Sequence, residues 1–245
     1  NHAMFLTTVL HLNAFRLLAS VIPWVYRTYR NHGFSYDYFP VALSAWKKAI
    51  GQEITESEAT RIFPVYDWML NQHELVVELA GARDRSVFEK PDREKDFYET
   101  LITHDLHGAL KISENELSRN LDPGDFYENI ARPALYRVGH GWENGELSVA
   151  QEHLATAMVQ TVVANLQGRT LKSGKLLGRV LVASVAGELH DLGARMIAHS
   201  FSSDGWEVAF LGANTPINNL IEMTREIRPA FVALSLSMPY YLLLL

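Results

Sequence analysis

Val180-Leu181-Val182-Ala183-Ser184-Val185-Ala186-Gly187-Glu188-Leu189-His190-Asp191-Leu192-Gly193 is the stretch on which the fold turns. The apolar run from Val180 to Val185 reads as a buried strand, and the residues from Asp191 onward read as a helix. A histidine in the loop between them points its ring out of the carboxyl edge of a sheet, where open α/β sheets bind their ligands. Glu188, two residues earlier, is placed to hold one ring nitrogen of His190, which fixes the tautomer and raises the basicity of the ring as a metal ligand. Gly193 lets a large flat ligand approach the backbone. Taken alone, the pattern also fits a loop histidine bonded to solvent or to a helix end.

Downstream the pattern keeps alternating, with a helix over Asp191–Phe201, a strand over Glu207–Leu211, a helix over Ile217–Ile227 and a strand over Phe231–Leu236. This is the signature of a doubly wound, flavodoxin-like parallel sheet. Thr215 is expected to cap the second helix, with Pro216 at its first helical position. Ser235-Leu236-Ser237 closes the third strand at the same carboxyl edge as His190, and Tyr240–Leu245 reads as the start of a further helix.

Upstream stands a second pattern: Trp142, nine residues, then Glu152-His153. Gly145 ends one helix, and Ser148 with Gln151 three residues on forms a capping box that opens the next. Val149, Glu152 and His153 then share one face of its first turn and a half, and Trp142 sits at the end of the preceding helix. Helical periodicity predicts four helices here: Asp96–Thr103, one following Asp105 and ending before Pro123, about Asp125–Trp142, and Val149–Leu166. The amino-terminal part is helical by period as well. Leu6, Val9, Leu10, Phe15, Leu18, Ile22 and Val25 recur at threes and fours, and Thr55-Glu56-Ser57-Glu58 is a capping box before a helix in which Pro64 is expected to introduce a kink. The charged stretch Arg83–Lys95 is the natural boundary. Three segments result: a helical domain over 4–90, a four-helix bundle over 92–170 and a sheet domain over 173–245.

Glu188-Leu189-His190-Asp191-Leu192-Gly193 resembles the Asp-x-His-x-x-Gly motif of cobalamin-binding domains, with Glu in place of the usual Asp. The resemblance implies that His190 is the lower axial ligand of cobalt, in place of the dimethylbenzimidazole base, and that Glu188, Asp191, Leu192, Gly193, Ser235 and Ser237 line the cofactor site, the serines at the buried nucleotide tail. Trp142-x9-Glu152-His153 resembles the signature of the light-responsive adenosylcobalamin regulators of the CarH/LitR type, whose four-helix bundle covers the upper corrin face. By that resemblance Trp142 and Val149 shield the deoxyadenosyl group, and Glu152 and His153 bond or wall it. Where those regulators carry a histidine after the tryptophan, this chain has Glu143, which leaves the upper ligand after illumination open between His140, His153 and water. The resembled sheet has five strands, so the three read here imply an incomplete sheet domain.

Composition adds exclusions. A net charge of −6 without a basic block argues against direct nucleic-acid binding, and the absence of cysteine removes disulfides, thiolate metal sites and covalent attachment of a chromophore. Arg16 and Arg27 interrupt the apolar opening, so no membrane span is expected, and a cytoplasmic location fits. His104 and His107 stand three apart, but their context does not fit a metal phosphohydrolase; no phosphate loop or Ser-His-Asp order is present. The expected function is a homo-oligomeric cobalamin-dependent light sensor, not itself an enzyme, that signals to an output domain or protein partner. The helical amino-terminal domain, rich in aromatics (Trp24, Tyr26, Phe39, Trp46, Phe63, Tyr66, Trp68), looks like that of the photocobilins, which implies biliverdin as a second, non-covalent chromophore. The alternatives are a corrinoid carrier of a methyltransferase system and a sensor of cobalamin level.

Overall fold

The computed structural model describes residues 2–82, 93–119, 122–168 and 176–244. The predicted boundary in the charged stretch, the ends of the first two segments at 90 and 170 and the start of the third at 173 fall outside these residues, as does Leu245. The chain divides into two compact units, residues 1–89 with 141–147, and residues 90–140 with 148–245.

The first unit is built from α1 (His2–Leu12), α2 (Phe15–Asn31), α3 (Tyr38–Glu53), α4 (Glu56–Asn71) and α5 (His73–Gly81). Its apolar stripes meet in two clusters. Leu6, Val9, Leu18, Leu43, Val65, Tyr66 and Met69 form one, and Tyr26, Phe39, Val76 and Ala80 form the other. The Tyr26 and Phe39 rings stack at 3.6 Å. The predicted capping box is present: Thr55 accepts from the Glu58 N–H, and the Glu58 carboxylate accepts from the Thr55 N–H. α4 runs through Pro64 as one helix.

The second unit opens with α6 (Arg93–Ile102), α7 (Leu106–Ser118), α8 (Pro123–Phe126), a π-helical turn (Tyr127–Ala131), α9 (Arg132–Glu143, its last three residues in the first unit) and α10 (Val149–Gln167). Phe97, Leu101, Phe126, Ile130, Val138, Val159, Val162 and Leu166 fill the bundle core. The third predicted bundle helix is thus widened near its start by the π-helical turn. Pro133 has no N–H and its ring excludes the usual carbonyl, so the chain widens one turn and the Arg132 N–H reaches back to the Tyr127 carbonyl. Ser148 caps α10 as read, with Gln151 in a reciprocal box, and Asp105 accepts from the Gly108 N–H to cap α7.

The sheet follows: β1 (Arg179–Val185), α11 (Leu192–Ser203), β2 (Glu207–Thr215), α12 (Ile217–Ile227), β3 (Phe231–Ser235) and a 3₁₀ turn (Pro239–Leu244) where a helix was expected. All pairings are parallel in the order β2-β1-β3, the doubly wound arrangement predicted. Val180 and Val182 pack on Ala194 and Ala198 of α11, while Leu181 and Ala183 pack on Leu220 of α12. β1 is therefore buried on both faces. β2 runs four residues past the predicted end, with two register shifts against β1 around Gly212 and Asn214, both at positive φ. The cap of α12 is Pro216 instead of Thr215. The residue before a proline prefers extended backbone, so Thr215 stays in the strand and the helix starts one residue later.

Within this unit, Tyr127 of the π-helical turn and His199 of α11 share a buried hydrogen bond of 2.5 Å. Burial holds the His199 pKa below its ordinary value of 6.5, against the pull of Asp122. Burial, reinforced by Asp122, pushes the Tyr127 phenol up.

Candidate functional site

The centre of the site is a buried carboxylate. Glu188 is 0% exposed in a loop tied down on both sides: its carbonyl accepts from the Asn214 N–H at 2.8 Å, and the Gly187 N–H donates to Asn214 Oδ1 at 2.7 Å. The bulges of β2 bring Asn214 here, and no sequence reading pointed to it. Gly187 has φ +80°, and a Cβ on it would meet the Tyr241 ring at 2.8 Å, so glycine is required on both counts.

Each carboxylate oxygen of Glu188 takes two contacts. Oε1 accepts from the His190 N–H at 2.8 Å and lies 2.5 Å from His190 Nδ1, while Oε2 accepts from the Ser237 N–H at 2.6 Å and the Ser237 hydroxyl at 2.7 Å. Burial alone would raise the Glu188 pKa. The hydrogen bonds from Ser237 and His190 outweigh it and hold the carboxyl at about 2, well under its ordinary 4.5. The His190 side chain remains 67% exposed, with Nε2 across the ring from the carboxylate. An imidazole fixed through Nδ1 on an exposed ring is a prepared metal ligand.

The remaining predicted residues fall around this centre or apart from it. Asp191 sits at the helix N-cap without capping it and accepts from Arg195 at 3.2 Å. Leu192 is buried. Gly193 is exposed, and a Cβ there would meet nothing within 4 Å. Ser237, assigned by resemblance to the nucleotide tail, is engaged with Glu188 and lies 3.0 Å from His190 Nδ1. Ser235 is the β3 partner of Ser184. Val149 and His153 are exposed at the start of α10, where His153 Nδ1 lies 2.5 Å from Glu152 Oε2 and the Thr156 hydroxyl donates to Glu152 Oε1 at 3.0 Å.

Trp142 belongs to the other compact unit, where its ring lies 5.3 Å from that of His32. The next residue, Glu143, is buried, pairs with Arg27 Nε at 2.6 Å and accepts from the Asn31 amide through its carbonyl at 3.0 Å. Among the described residues no group of three or more His, Asp or Glu side chains converges as a metal site, at His104 and His107 or elsewhere, and no helix is long and apolar enough to cross a membrane.

A bundle joined to a doubly wound sheet, with a carboxylate-held histidine at the sheet's carboxyl edge, defines a class. Residues 93–167 match the model of one B12 binding domain family and residues 178–243 that of a second, also described as a B12 binding domain. The chain therefore carries a cobalamin-binding module made of these two parts. Trimethylamine corrinoid protein 1 of Methanosarcina acetivorans is 26% identical over 132 residues, 52% of this chain and 60% of that protein. The HTH-type transcriptional repressor CarH of Myxococcus xanthus is 29% identical over 195 residues, 79% of this chain and 62% of that protein. The chain thus spans less than two thirds of either relative. Among solved structures, the monomethylamine corrinoid protein of Methanosarcina barkeri aligns over 66% of this chain and 74% of its own at 16% identity and a TM-score of 0.49.

Proposed function

We propose that this chain is a light sensor that binds adenosylcobalamin with the base displaced and His190 beneath the cobalt. The observation that carries the reading is the buried, four-fold bonded Glu188 carboxylate that holds His190 Nδ1 and leaves Nε2 outward. Nothing in the packing of the chain demands glycine at 193, and open space above it suits the close approach of a flat macrocycle. When bound, adenosylcobalamin supplies a cobalt–carbon bond that light breaks. By the resemblance, Val149, Glu152 and His153 at the start of α10 would wall the adenosyl group and Trp142 would shield it. Loss of that group would remove their contacts and so change the packing of the bundle and the oligomeric state.

Two features support a sensor over a carrier: the Trp142…Glu152-His153 pattern, and a match to a repressor that reaches over 79% of the chain. A corrinoid carrier is the second reading, favoured by relatives such as the trimethylamine corrinoid protein. The aromatic first unit is proposed to hold biliverdin without a covalent bond, an assignment that a red absorption band on adding biliverdin would support and the lack of one would remove.

The deciding experiment is a visible spectrum of the protein loaded with adenosylcobalamin, before and after green light, with size-exclusion elution of both samples. A spectral change with altered elution supports the sensor. A spectrum that ignores light, with tighter binding of methylcobalamin, favours the carrier.

A further inference from the structure

The segment Gly141–Leu147, between α9 and α10, folds within the first unit, whereas the chain up to His140 and from Ser148 belongs to the second. It closes on itself: the Glu146 and Leu147 N–H groups both donate to the Gly141 carbonyl, at 2.8 and 3.0 Å. The carboxyl-terminal end of α2 and the residue after it meet this segment at Trp142, Glu143 and Gly145. The His32 ring lies 5.3 Å from that of Trp142. Arg27 Nε donates to Glu143 Oε1 at 2.6 Å, and the Asn31 amide donates to the Glu143 carbonyl at 3.0 Å. Gly145, at φ +73°, lies so close to the Asn31 carbonyl that a Cβ on it would meet that oxygen at 2.7 Å.

Glu143 is the centre of this anchorage. Its side chain is 8% exposed and that of Arg27 is 24% exposed, so the pair stands largely out of water. There a charge-assisted hydrogen bond is strong and directional, and loss of one partner leaves a buried charge unmet. Trp142 and Glu143 are consecutive residues of the last turn of α9. Neighbouring side chains on a helix point about 100° apart. Fixing the direction of Glu143 therefore fixes that of the half-buried Trp142 as well.

We propose that Arg27 and Asn31 are positioning residues for Trp142, and that through them the first unit sets how firmly the adenosyl group is retained in the dark. The inference rests on the light-sensor reading above, in which Trp142 shields that group by the resemblance. Neither residue needs to touch the cofactor, because both act on the turn that carries the tryptophan. A change in the first unit that loosens the end of α2 then weakens the hold on the adenosyl group.

The test follows dark loss of the adenosyl group by absorbance in wild type, Arg27→Met, Asn31→Ala, Trp142→Ala and the double variant Arg27→Met/Trp142→Ala. It is paired with acrylamide quenching of Trp142 fluorescence in the unliganded protein, taken as the difference between each protein and its Trp142→Phe counterpart. Arg27→Met and Asn31→Ala are expected to speed the loss about three- to tenfold, no more than Trp142→Ala does, and to raise the quenching of Trp142. The double variant is expected to match Trp142→Ala, since a residue that acts only through the tryptophan adds nothing once the ring is gone. Val65→Ala, in the core cluster of the first unit that contains none of these residues, is expected to leave the rate at that of wild type. Four results would overturn the proposal: an unchanged rate in Arg27→Met, unchanged quenching of Trp142, a double variant faster than Trp142→Ala, or equal acceleration by Val65→Ala, which would show general loosening of the unit. Wild-type protein that binds no adenosylcobalamin, or that loses the adenosyl group as fast as Trp142→Ala, would instead overturn the sensor reading beneath it.

Discussion

At the residue scale, Glu188 shows how much one buried carboxylate can hold. It ties the β1 loop to the end of β3 through Ser237 and orients His190 as well. Glu188→Gln would turn an amide NH₂ toward donors now met by carboxylate oxygens. We expect a loss of about 1–3 kcal/mol in stability, measured by urea unfolding, and a loss of cobalamin affinity of about tenfold or more, measured by titration. His190→Ala is expected to remove the nitrogen ligand from beneath the cobalt. A visible spectrum of bound cobalamin identical to that of wild type would refute the assignment of His190.

At the element scale, the π-helical turn and α11 are joined through Tyr127 and His199. Tyr127→Phe takes this partner from a buried imidazole and is expected to cost about 1–3 kcal/mol in the urea unfolding of the protein. Burial of the His199 ring also gives the fold a pH dependence whose sign follows from the lowered His199 pKa. Above the ordinary value of 6.5 the ring is neutral both folded and unfolded. Below it the unfolded chain takes up a proton that the folded one resists, so stability falls as pH drops. His199→Gln keeps an amide for the Tyr127 hydroxyl but does not titrate. The difference in urea midpoint between about pH 7 and about pH 5 is therefore expected to shrink in this variant, and an unchanged difference would assign the pH effect to other groups.

At the scale of the whole molecule, α9 carries residues of both compact units. The segment after His140 is held in the first unit by the Arg27–Glu143 pair and the Asn31–Glu143 hydrogen bond. Glu143 stands where the resembled light regulators have a histidine, and here that position is occupied by an ion pair within the first unit. Arg27→Met is expected to destabilise the first unit by on the order of 2 kcal/mol, read as an earlier thermal transition, while His190 still ligates cobalamin with the wild-type spectrum. Trp142→Ala is expected to leave corrin binding within a few-fold and to speed loss of the adenosyl group in the dark, measured by absorbance. Abolished corrin binding would mean that Trp142 supports the fold instead of the upper face.

The sequence by itself determined the elements and their order. The valine run of β1, the capping boxes at Thr55 and Ser148 and the alternation after Val180 act over a few residues, where spacing is nearly the whole physics. His190 and Glu188 were legible for the same reason, since two residues apart in a loop they meet with little help from the rest of the chain. Only the tertiary structure decided what lies across longer separations. Ser237 reaches Glu188 from 49 residues away, Tyr127 meets His199 across 72, and Arg27 meets Glu143 across 116. Each depends on register, bulges and packing angles that no local pattern encodes. The same holds for the ends of elements: the widened turn at Tyr127–Ala131 follows from a proline two residues beyond it, and the late start of α12 from Pro216.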